Sequence, residues 1–219
     1  MMGQGALSAR ALIALTSLVV LVVGCQGSSV EAAKPVKPAP EPASGGVPWP
    51  APSDPLDRII AAGLEPETHE FLSYHVHAHL DVFLNGKPVT VPAGIGINID
   101  DPAVHSAKTD LGPSYGSIDP ACAHPCISPL HTHDTTGVLH TESAVAHPNT
   151  LGQFFTEWGV ALSATCVGGY CSPDASIQVF VNGKPFDGDP SDIQLTDLLE
   201  IAIVIGTPPL EIPSQFPTA

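Results

Sequence analysis

One segment of the chain, Ser73 to Leu84, alternates polar and apolar residues and constrains the fold more than any other stretch. Successive residues of a β-strand point to opposite faces of the sheet, so residues two apart share a face. His75, His77 and His79 therefore point one way, while the apolar residues between them point toward a core. Asn85-Gly86 follows directly and is a type I′ hairpin signal. The segment predicts a two-sided strand that presents three imidazoles on one face.

A second histidine cluster follows in the segment from Ser128 to Ser143. If this segment is a hairpin that closes around Asp134 to Gly137, His131 lies directly opposite His140. Cross-strand neighbours have Cβ atoms about 4.5–5.5 Å apart, and a shift of one residue would move every side chain to the other face. The hairpin thus predicts one face that carries four polar side chains: His131, His133, His140 and Glu142.

The remaining patterns predict a mainly β (α+β) fold, a single compact β-sheet or sandwich-like domain with two or three short helices. Two segments have helix signals, one that starts at Asp54-Pro55 and stops at Gly63, and one that Thr150 caps and Gly159 ends. Elsewhere the sequence predicts strands at 95–99, 177–181 and 201–205 and a long loop over 100–126. The sequence VFLNGKP of residues 82–88 also recurs as VFVNGKP at 179–185, which predicts two hairpins of one kind.

The N-terminus predicts a lipoprotein signal peptide. Arg10 precedes a short apolar run, 11–23, that ends in a lipobox at Cys25, and about 13 residues are too few to span a bilayer as a permanent helix. The alternative is an ordinary secretory signal with a chance cysteine. The predicted organisation is a signal peptide at 1–24, a lipidated Cys25 with a Pro/Ala-rich tether over 25–53, and a histidine-rich domain over 54–219. The expected location is extracytoplasmic and membrane-anchored, on the outer membrane if the cell has one.

Four further cysteines predict two disulfides, because their number is even and the expected compartment is oxidising. Two local loops and two cross-links between the segments are both compatible with the spacing, and the sequence does not choose between them. The cysteines are Cys122, Cys126, Cys166 and Cys171.

The charge balance narrows the possible partners. The formal net charge is −15 with only seven Lys and Arg residues, so the chain repels nucleic acid and anionic lipid. We therefore expect a metal ion as partner, no nucleic acid, and membrane contact through the lipid anchor only.

The histidines indicate a transition-metal site. Neutral imidazole binds Zn, Cu, Ni and Fe, and the only methionines, Met1 and Met2, leave with the signal peptide, which excludes a blue-copper site with an axial Met. Copper and zinc rank equally as the predicted metal, and iron ranks third. Asp134 or Glu142 is predicted either as a ligand or as a hydrogen-bond partner of the ligands. We expect the site to draw on six histidines: His75, His77, His79, His131, His133 and His140.

Two functions fit such a site, a metal-binding protein or a metal-dependent hydrolase or oxidoreductase. The enzyme requires an open coordination position and a nearby general base. The candidate bases are Asp134, Glu142, His105 and Glu157. Surface histidines on a solvated strand face, without a metal, are the remaining interpretation.

The motifs resemble those of a family of uncharacterised secreted proteins of bacteria and archaea. Its marks are H-x-H-A-H-L before an NGK hairpin, L-H-T-H-D-x-x-G-x-x-H, and L-G-x-F-F-x-x-W, which are found here at 75–80, 130–140 and 151–158. The resemblance covers most of the domain and implies a secreted domain with this histidine site. It implies no particular reaction.

The predicted anchor can be tested with Cys25→Ser. Without the thiol that receives the diacylglycerol, we expect the protein to leave the membrane fraction or to remain unprocessed. Cell fractionation with mass measurement of the processed chain gives the answer. A Cys25→Ser protein that is still processed and membrane-bound would contradict the lipoprotein prediction.

Overall fold

A computed structural model describes residues 49–116 and 118–218 of the chain. The predicted signal peptide, the lipidation site at Cys25 and the tether as far as residue 48 lie outside the described residues. Within the part of the chain that is described, no helix has the length and apolar character needed to cross a membrane.

The described chain is mainly β, as the sequence predicts. It contains the α-helices α1 (Pro55–Ala61) and α2 (Leu151–Trp158) and a short 3-10 helix at Pro190–Asp192. The strands, in chain order, are β1 (Tyr74–Leu84), β2 (Lys87–Val89), β3 (His105–Thr109), β4 (Gly112–Gly116), β5 (Leu130–His131), β6 (Val138–Ser143), β7 (Leu162–Ser163), β8 (Cys166–Val167), β9 (Tyr170–Cys171), β10 (Ile177–Val181), β11 (Lys184–Pro185) and β12 (Leu199–Ile205).

One mixed sheet of seven strands organises the fold. Its order is β11-β10-β12-β1-β6-β5, and β2 pairs with the far end of β1. β1 runs parallel to β12 on one side and antiparallel to β6 and β2 on the other. The long strand that the histidine pattern predicts is therefore interior to the sheet.

The main hydrophobic core lies between one face of this sheet and the two α-helices. β1 contributes Ala78, Leu80 and Val82 to the core, each 1% exposed or less, and α2 contributes buried aromatic residues such as Phe154 and Trp158. The predicted cap of α2 is confirmed. Thr150 accepts a hydrogen bond from the backbone N–H of residue 153, and the helix ends at a left-handed glycine, residue 159.

The two NGK hairpins are built alike and lie at opposite ends of β12. Asn85 and Asn182 both have φ of 50°, which is the left-handed conformation that a type I′ turn requires. The backbone N–H of Asn85 donates to Ile205 at one end of β12, and that of Asn182 donates to Glu200 at the other end. The repeated sequence thus builds two turns that hold the same strand.

The predicted strand at Ile95–Ile99 is wrong. This segment forms tight turns, in which Gly94 and Gly96 have φ of 77° and 75°. A Cβ at Gly96 would lie 2.4 Å from the carbonyl oxygen of Leu130, so the turn needs glycine to lie this close to β5. The apolar pattern reflects burial in a loop, since Ile95 and Ile97 are both buried.

The predicted long loop over 100–126 is wrong in part, because it contains the β3–β4 hairpin. All five residues of β3 are exposed, so no apolar alternation marks the strand in the sequence. The same segment ends in a disulfide, Cys122–Cys126, and the second disulfide is Cys166–Cys171. Of the pairings that the sequence leaves open, the structure has the two local loops.

A buried carboxylate connects α2 to the loop in front of β5. Glu157 is fully buried and accepts a hydrogen bond from the Ser128 hydroxyl, which in turn accepts one from the backbone N–H of Leu130 at 3.0 Å. Burial raises the pKa of Glu157 well above its usual value, and the bond from Ser128 opposes this only in part. The folded protein therefore favours the protonated, uncharged form of Glu157.

This burial predicts a pH-dependent effect of Glu157→Gln. A carboxyl whose pKa is raised by folding contributes stability that is present below its unfolded pKa, about 4.3, and is lost as the pH rises toward the folded value. Glutamine cannot ionise, so the Glu157→Gln protein should melt at a higher temperature than the wild type at pH 8, by about 3 °C or more. This difference should disappear at pH 4. Thermal unfolding in the presence of a chelator measures the difference. The matched control is Glu65→Gln at an exposed position, and a pH-independent difference for Glu157→Gln would contradict the assignment.

Candidate metal centre

The register of three neighbouring strands brings the histidines together. His77 of β1 lies directly opposite His140 of β6, and His140 lies directly opposite His131 of β5. In the next row, His75 lies opposite Glu142. Residues that pair directly share a face, so these side chains form one patch on the face away from the helices. The predicted pairing of His131 with His140 is confirmed.

Backbone carbonyls fix the rings of His131 and His133. The Nδ1–H of His131 donates to the carbonyl of Ser128 at 2.9 Å, and that of His133 donates to the carbonyl of Tyr115 at 2.6 Å. A carbonyl only accepts, so Nδ1 carries the hydrogen in both rings and Nε2 is the atom directed into the patch. The two Nε2 atoms lie 3.3 Å apart.

The rings on β1 approach the same patch from the other side. His75 Nε2 lies 3.0 Å from Glu142 Oε1, and the His75 and His77 ring centroids are 4.4 Å apart. The His140 ring lies between the two sides, with centroid distances of 4.5 Å to His77 and 4.3 Å to His133. The backbone N–H of His77 donates to Asp197, which ties this end of β1 to the turn before β12.

Glu142 is the anion at the centre of the patch. Its side chain is 4% exposed, and its Oε1 lies 3.1 Å from His140 Nδ1. Burial alone would raise the pKa of Glu142, but the hydrogen bonds from His133 and His140 and the charges of His131 and His140 outweigh burial and lower the pKa. The carboxylate is therefore ionised even though it is buried.

The pKa values of the surrounding histidines diverge. Burial and the charge of His133 lower the pKa of His131 to about 3, and burial is also the largest cause that lowers the pKa of His77 and His140. For His133, the effects of Glu142 and of the Tyr115 carbonyl outweigh burial and raise the pKa. These shifts favour the neutral form of His77, His131 and His140, which is the form that binds metal, whereas His133 keeps its proton to a higher pH than an ordinary histidine.

These side chains form two overlapping groups that could hold a metal ion. Within each group, one donor atom per residue lies within 4.8 Å of every other. The first group, the β1 group, is His75, His77, His140 and Glu142. The second, the β5 group, is His131, His133, His140 and Glu142. Five of the six predicted histidines are therefore brought together, in two groups that share two members.

The sixth, His79, lies outside both groups. Its Nδ1 is 2.8 Å from Glu200 Oε2, and its Nε2 is 2.8 Å from the carbonyl oxygen of Thr136. Burial alone would lower the pKa of His79, but the hydrogen bond and charge of Glu200 outweigh it and raise the pKa. With Glu200 ionised, both ring nitrogens donate to acceptors and His79 is the charged imidazolium. His79 belongs to a separate group with Asp81 and Glu200.

The other predicted polar residues have different positions. Asp134 accepts hydrogen bonds from the backbone N–H and the hydroxyl of Thr136, and so organises the turn between β5 and β6. Glu157 accepts a hydrogen bond from the Ser128 hydroxyl, and His105 Nε2 lies 3.1 Å from the Asp119 carbonyl oxygen. Neither belongs to the groups around Glu142.

Sequence reasoning missed Glu70 and Glu200. Glu70 Oε1 lies 3.9 Å from His133 Nδ1, and Glu200 is the buried partner of His79. Glu200 is one acidic residue in an otherwise apolar β12, LEIAIVI, and that interruption is a signal that could have found it. The segment before β1 offers no comparable signal for Glu70.

A cleft of about 610 Å³ opens beside the patch, between it and the β3–β4 hairpin. One side of the cleft is lined by His133, His140 and Asp134. The rest is lined by residues that include His105, Tyr115 and Glu70. A small solute can therefore reach the β5 group from this side.

No known protein-family model matches the chain, and neither does any curated protein or solved structure. The resemblance inferred from the motifs stays a prediction.

The separate position of His79 predicts a structural role that His79→Ala tests. Removing the imidazolium leaves Glu200, which is 1% exposed, without its charge partner, and breaking a buried pair costs about 3–5 kcal/mol. We expect the melting temperature to fall by about 10 °C while metal affinity is retained. Thermal unfolding and a metal titration measure the two effects.

The control for this variant is Asp81→Asn, since Asp81 is 30% exposed and lies farther away, at 3.7 Å from His79 Nδ1. Its effect should be small. If His79→Ala abolished metal binding and left the melting temperature unchanged, His79 would be a ligand and not a structural partner.

Proposed function

We propose that this chain is an extracytoplasmic, lipid-anchored protein that binds a transition metal, copper or zinc, through the histidines around Glu142. The observation that carries the proposal is the buried Glu142 carboxylate with five imidazoles gathered around it. The second oxygen of this carboxylate, Oε2, is buried without a hydrogen-bond partner among the described residues, and burying a polar group costs free energy unless it is fully paired. A cation held by these donors removes that cost.

The chemistry of the donors supports copper or zinc. Imidazole nitrogen with one carboxylate oxygen suits Zn(II) and Cu(II), whereas Mg²⁺ and Ca²⁺ favour oxygen ligands. The proposed ligands are His75, His77, His131, His133 and His140 together with Glu142. The hydrogen bonds from Nδ1 of His131 and His133 to backbone carbonyls are the second layer of contacts that metal-binding histidines usually make.

The proposed location draws on two further features. Both pairs of cysteines in the described domain are disulfide-bonded, which is typical of oxidising compartments outside the cytoplasm. The lipobox at Cys25 adds the anchor and the tether that would hold the domain away from the lipid surface.

A metal-dependent enzyme is the second candidate, and the cleft beside His133 and His140 is the observation that favours it. Catalysis needs an open coordination position next to a pocket for substrate. Binding is the better supported of the two, because either group taken by itself offers four protein donors, enough to fill a tetrahedral coordination sphere.

Thermal unfolding with and without zinc or copper tests the proposed function. At a metal concentration about 100 times the dissociation constant, a ligand that binds only the folded state adds about 2.7 kcal/mol, which is about 5–10 °C for a domain of this size. The gain should appear with zinc or copper near neutral pH and should be absent with Mg²⁺. His77→Ala and His131→Ala should each reduce the gain strongly.

The matched controls are His69→Ala and His147→Ala, because neither residue belongs to the groups around Glu142. Both should retain the full gain. An equal response in all four variants, or no metal response in the wild type, would mean that the histidines serve another purpose.

A further inference from the structure

The geometry points to two metal ions in this centre. We propose that the Glu142 carboxylate bridges them, with one ion held by the β1 group and the other held by His131 and His133. The inference rests on the proposed function and extends it from a metal site to a dinuclear centre.

The donors are too widely spread for one ion. With metal–nitrogen bonds of about 2.0–2.1 Å, two donors to the same ion are at most about 4.2 Å apart. The five histidines do not form one group even at a limit of 4.8 Å; they divide into the β1 group and the β5 group. One ion would therefore leave two imidazoles of the patch without a role.

The two oxygens of Glu142 differ in the histidine nitrogens that lie nearest to them. Oε1 lies 3.0 Å from His75 Nε2 and 3.1 Å from His140 Nδ1, on the β1 side. Oε2 approaches His131 Nε2, at 3.9 Å, on the β5 side. Oε1 is also 3.9 Å from His133 Nε2, so the carboxylate lies between the two sets of nitrogens. This is the position of a bridging ligand.

Oε2 is also a buried oxygen that lacks a hydrogen-bond partner among the described residues. Leaving a buried acceptor unpaired costs about 1–3 kcal/mol, and more for a charged group. Oε1 already has two nitrogen neighbours within 3.1 Å, so a single ion on the β1 side would leave the cost at Oε2 in place. An ion bound to His131 and His133 supplies the partner that Oε2 lacks.

The spacing of His131 and His133 fits a metal. In a tetrahedral site with bonds of about 2.0–2.1 Å, neighbouring donors are about 3.3–3.4 Å apart. The two Nε2 atoms lie 3.3 Å apart, within hydrogen-bond distance of each other, and their Nδ1 atoms are held by backbone carbonyls. These rings therefore present one edge of a tetrahedron before any ion arrives.

The two ions would not be equivalent. His140 belongs to both groups but can complete only one of them, and we assign it to the β1 ion, which then has four protein donors. The other ion would have His131, His133 and Oε2, with a fourth position toward the cleft that His133 lines. The β5 ion is thus the one that a small solute from the cleft would contact.

Counting the bound ions tests the proposal on the full chain, purified without an affinity tag and stripped with a chelator before reloading. Elemental analysis together with native mass spectrometry should give two copper or two zinc ions per chain. One ion per chain would overturn the bridge but leave the proposed function intact, whereas no bound ion would overturn both.

Electron paramagnetic resonance of the copper(II)-loaded wild type tests the bridge itself. Ions in two-metal sites are about 3.5–4 Å apart, so two bridged copper ions should interact and give a broadened spectrum with a half-field signal. Two ions with spectra of isolated copper would overturn the bridge. This measurement needs no variant and so does not depend on how substitutions affect folding.

Variants then assign the two positions. The double variants His75→Ala/His77→Ala and His131→Ala/His133→Ala should each retain one ion, and Glu142→Gln should remove the magnetic interaction, because its amide has one donor oxygen. Glu65→Gln, at an exposed position, is the matched control and should retain two interacting ions. A double variant that still binds two ions, or a Glu142→Gln protein with unchanged coupling, would overturn the proposal.

Discussion

The antiparallel pairing of β1 with β6 is the interaction on which the rest of the structure depends. Its register sets Ala78 opposite Leu139 on the face toward the helices and His77 opposite His140 on the other face. Because side chains alternate strictly between faces, a shift of one residue would bury imidazoles in the core and expose apolar residues. The hydrophobic effect that selects the register of the core therefore also positions the donors, so stability and the candidate site are specified together.

The β5 side of the site is held by loops and not by a long ladder, since β5 is only two residues long. Thr132 compensates for this: its hydroxyl donates to the Pro92 carbonyl at 2.8 Å and accepts from the backbone N–H of Ile95 at 3.1 Å. Its side chain thus fastens the segment between His131 and His133 to the glycine-rich turns. Rings held in this way lose little freedom when they bind a ligand, which is the advantage of a preorganised site.

The sequence was sufficient to predict the structure where a hydrophobic period or a helix cap determines it. The alternation in β1, the capping box of α2, and the pairing of His131 with His140 all follow from local chemistry, and all are present.

The sequence was insufficient where residues far apart in the chain determine the structure. The turns at residues 93–99 exist because glycine allows close packing on Leu130, and β3 is too exposed to carry an apolar pattern. Spacing placed His79 with its neighbours, but Glu200, more than a hundred residues later, provides its charge partner. The division of five histidines into two groups depends on ring positions, which no spacing rule contains.

The location of β12 has a consequence for how the protein forms. It is the last strand among the described residues, yet it lies inside the sheet between β1 and β10. Its parallel pairing with β1 joins residues such as Ala78 and Leu199, a contact of very long range in sequence. Contacts of this kind are formed late and make folding slow. The seven-stranded sheet therefore cannot be complete until β12 is available to pair. When the chain is extended from its N-terminus, the HVHAHL segment is exposed to solvent long before β12 can pair with it.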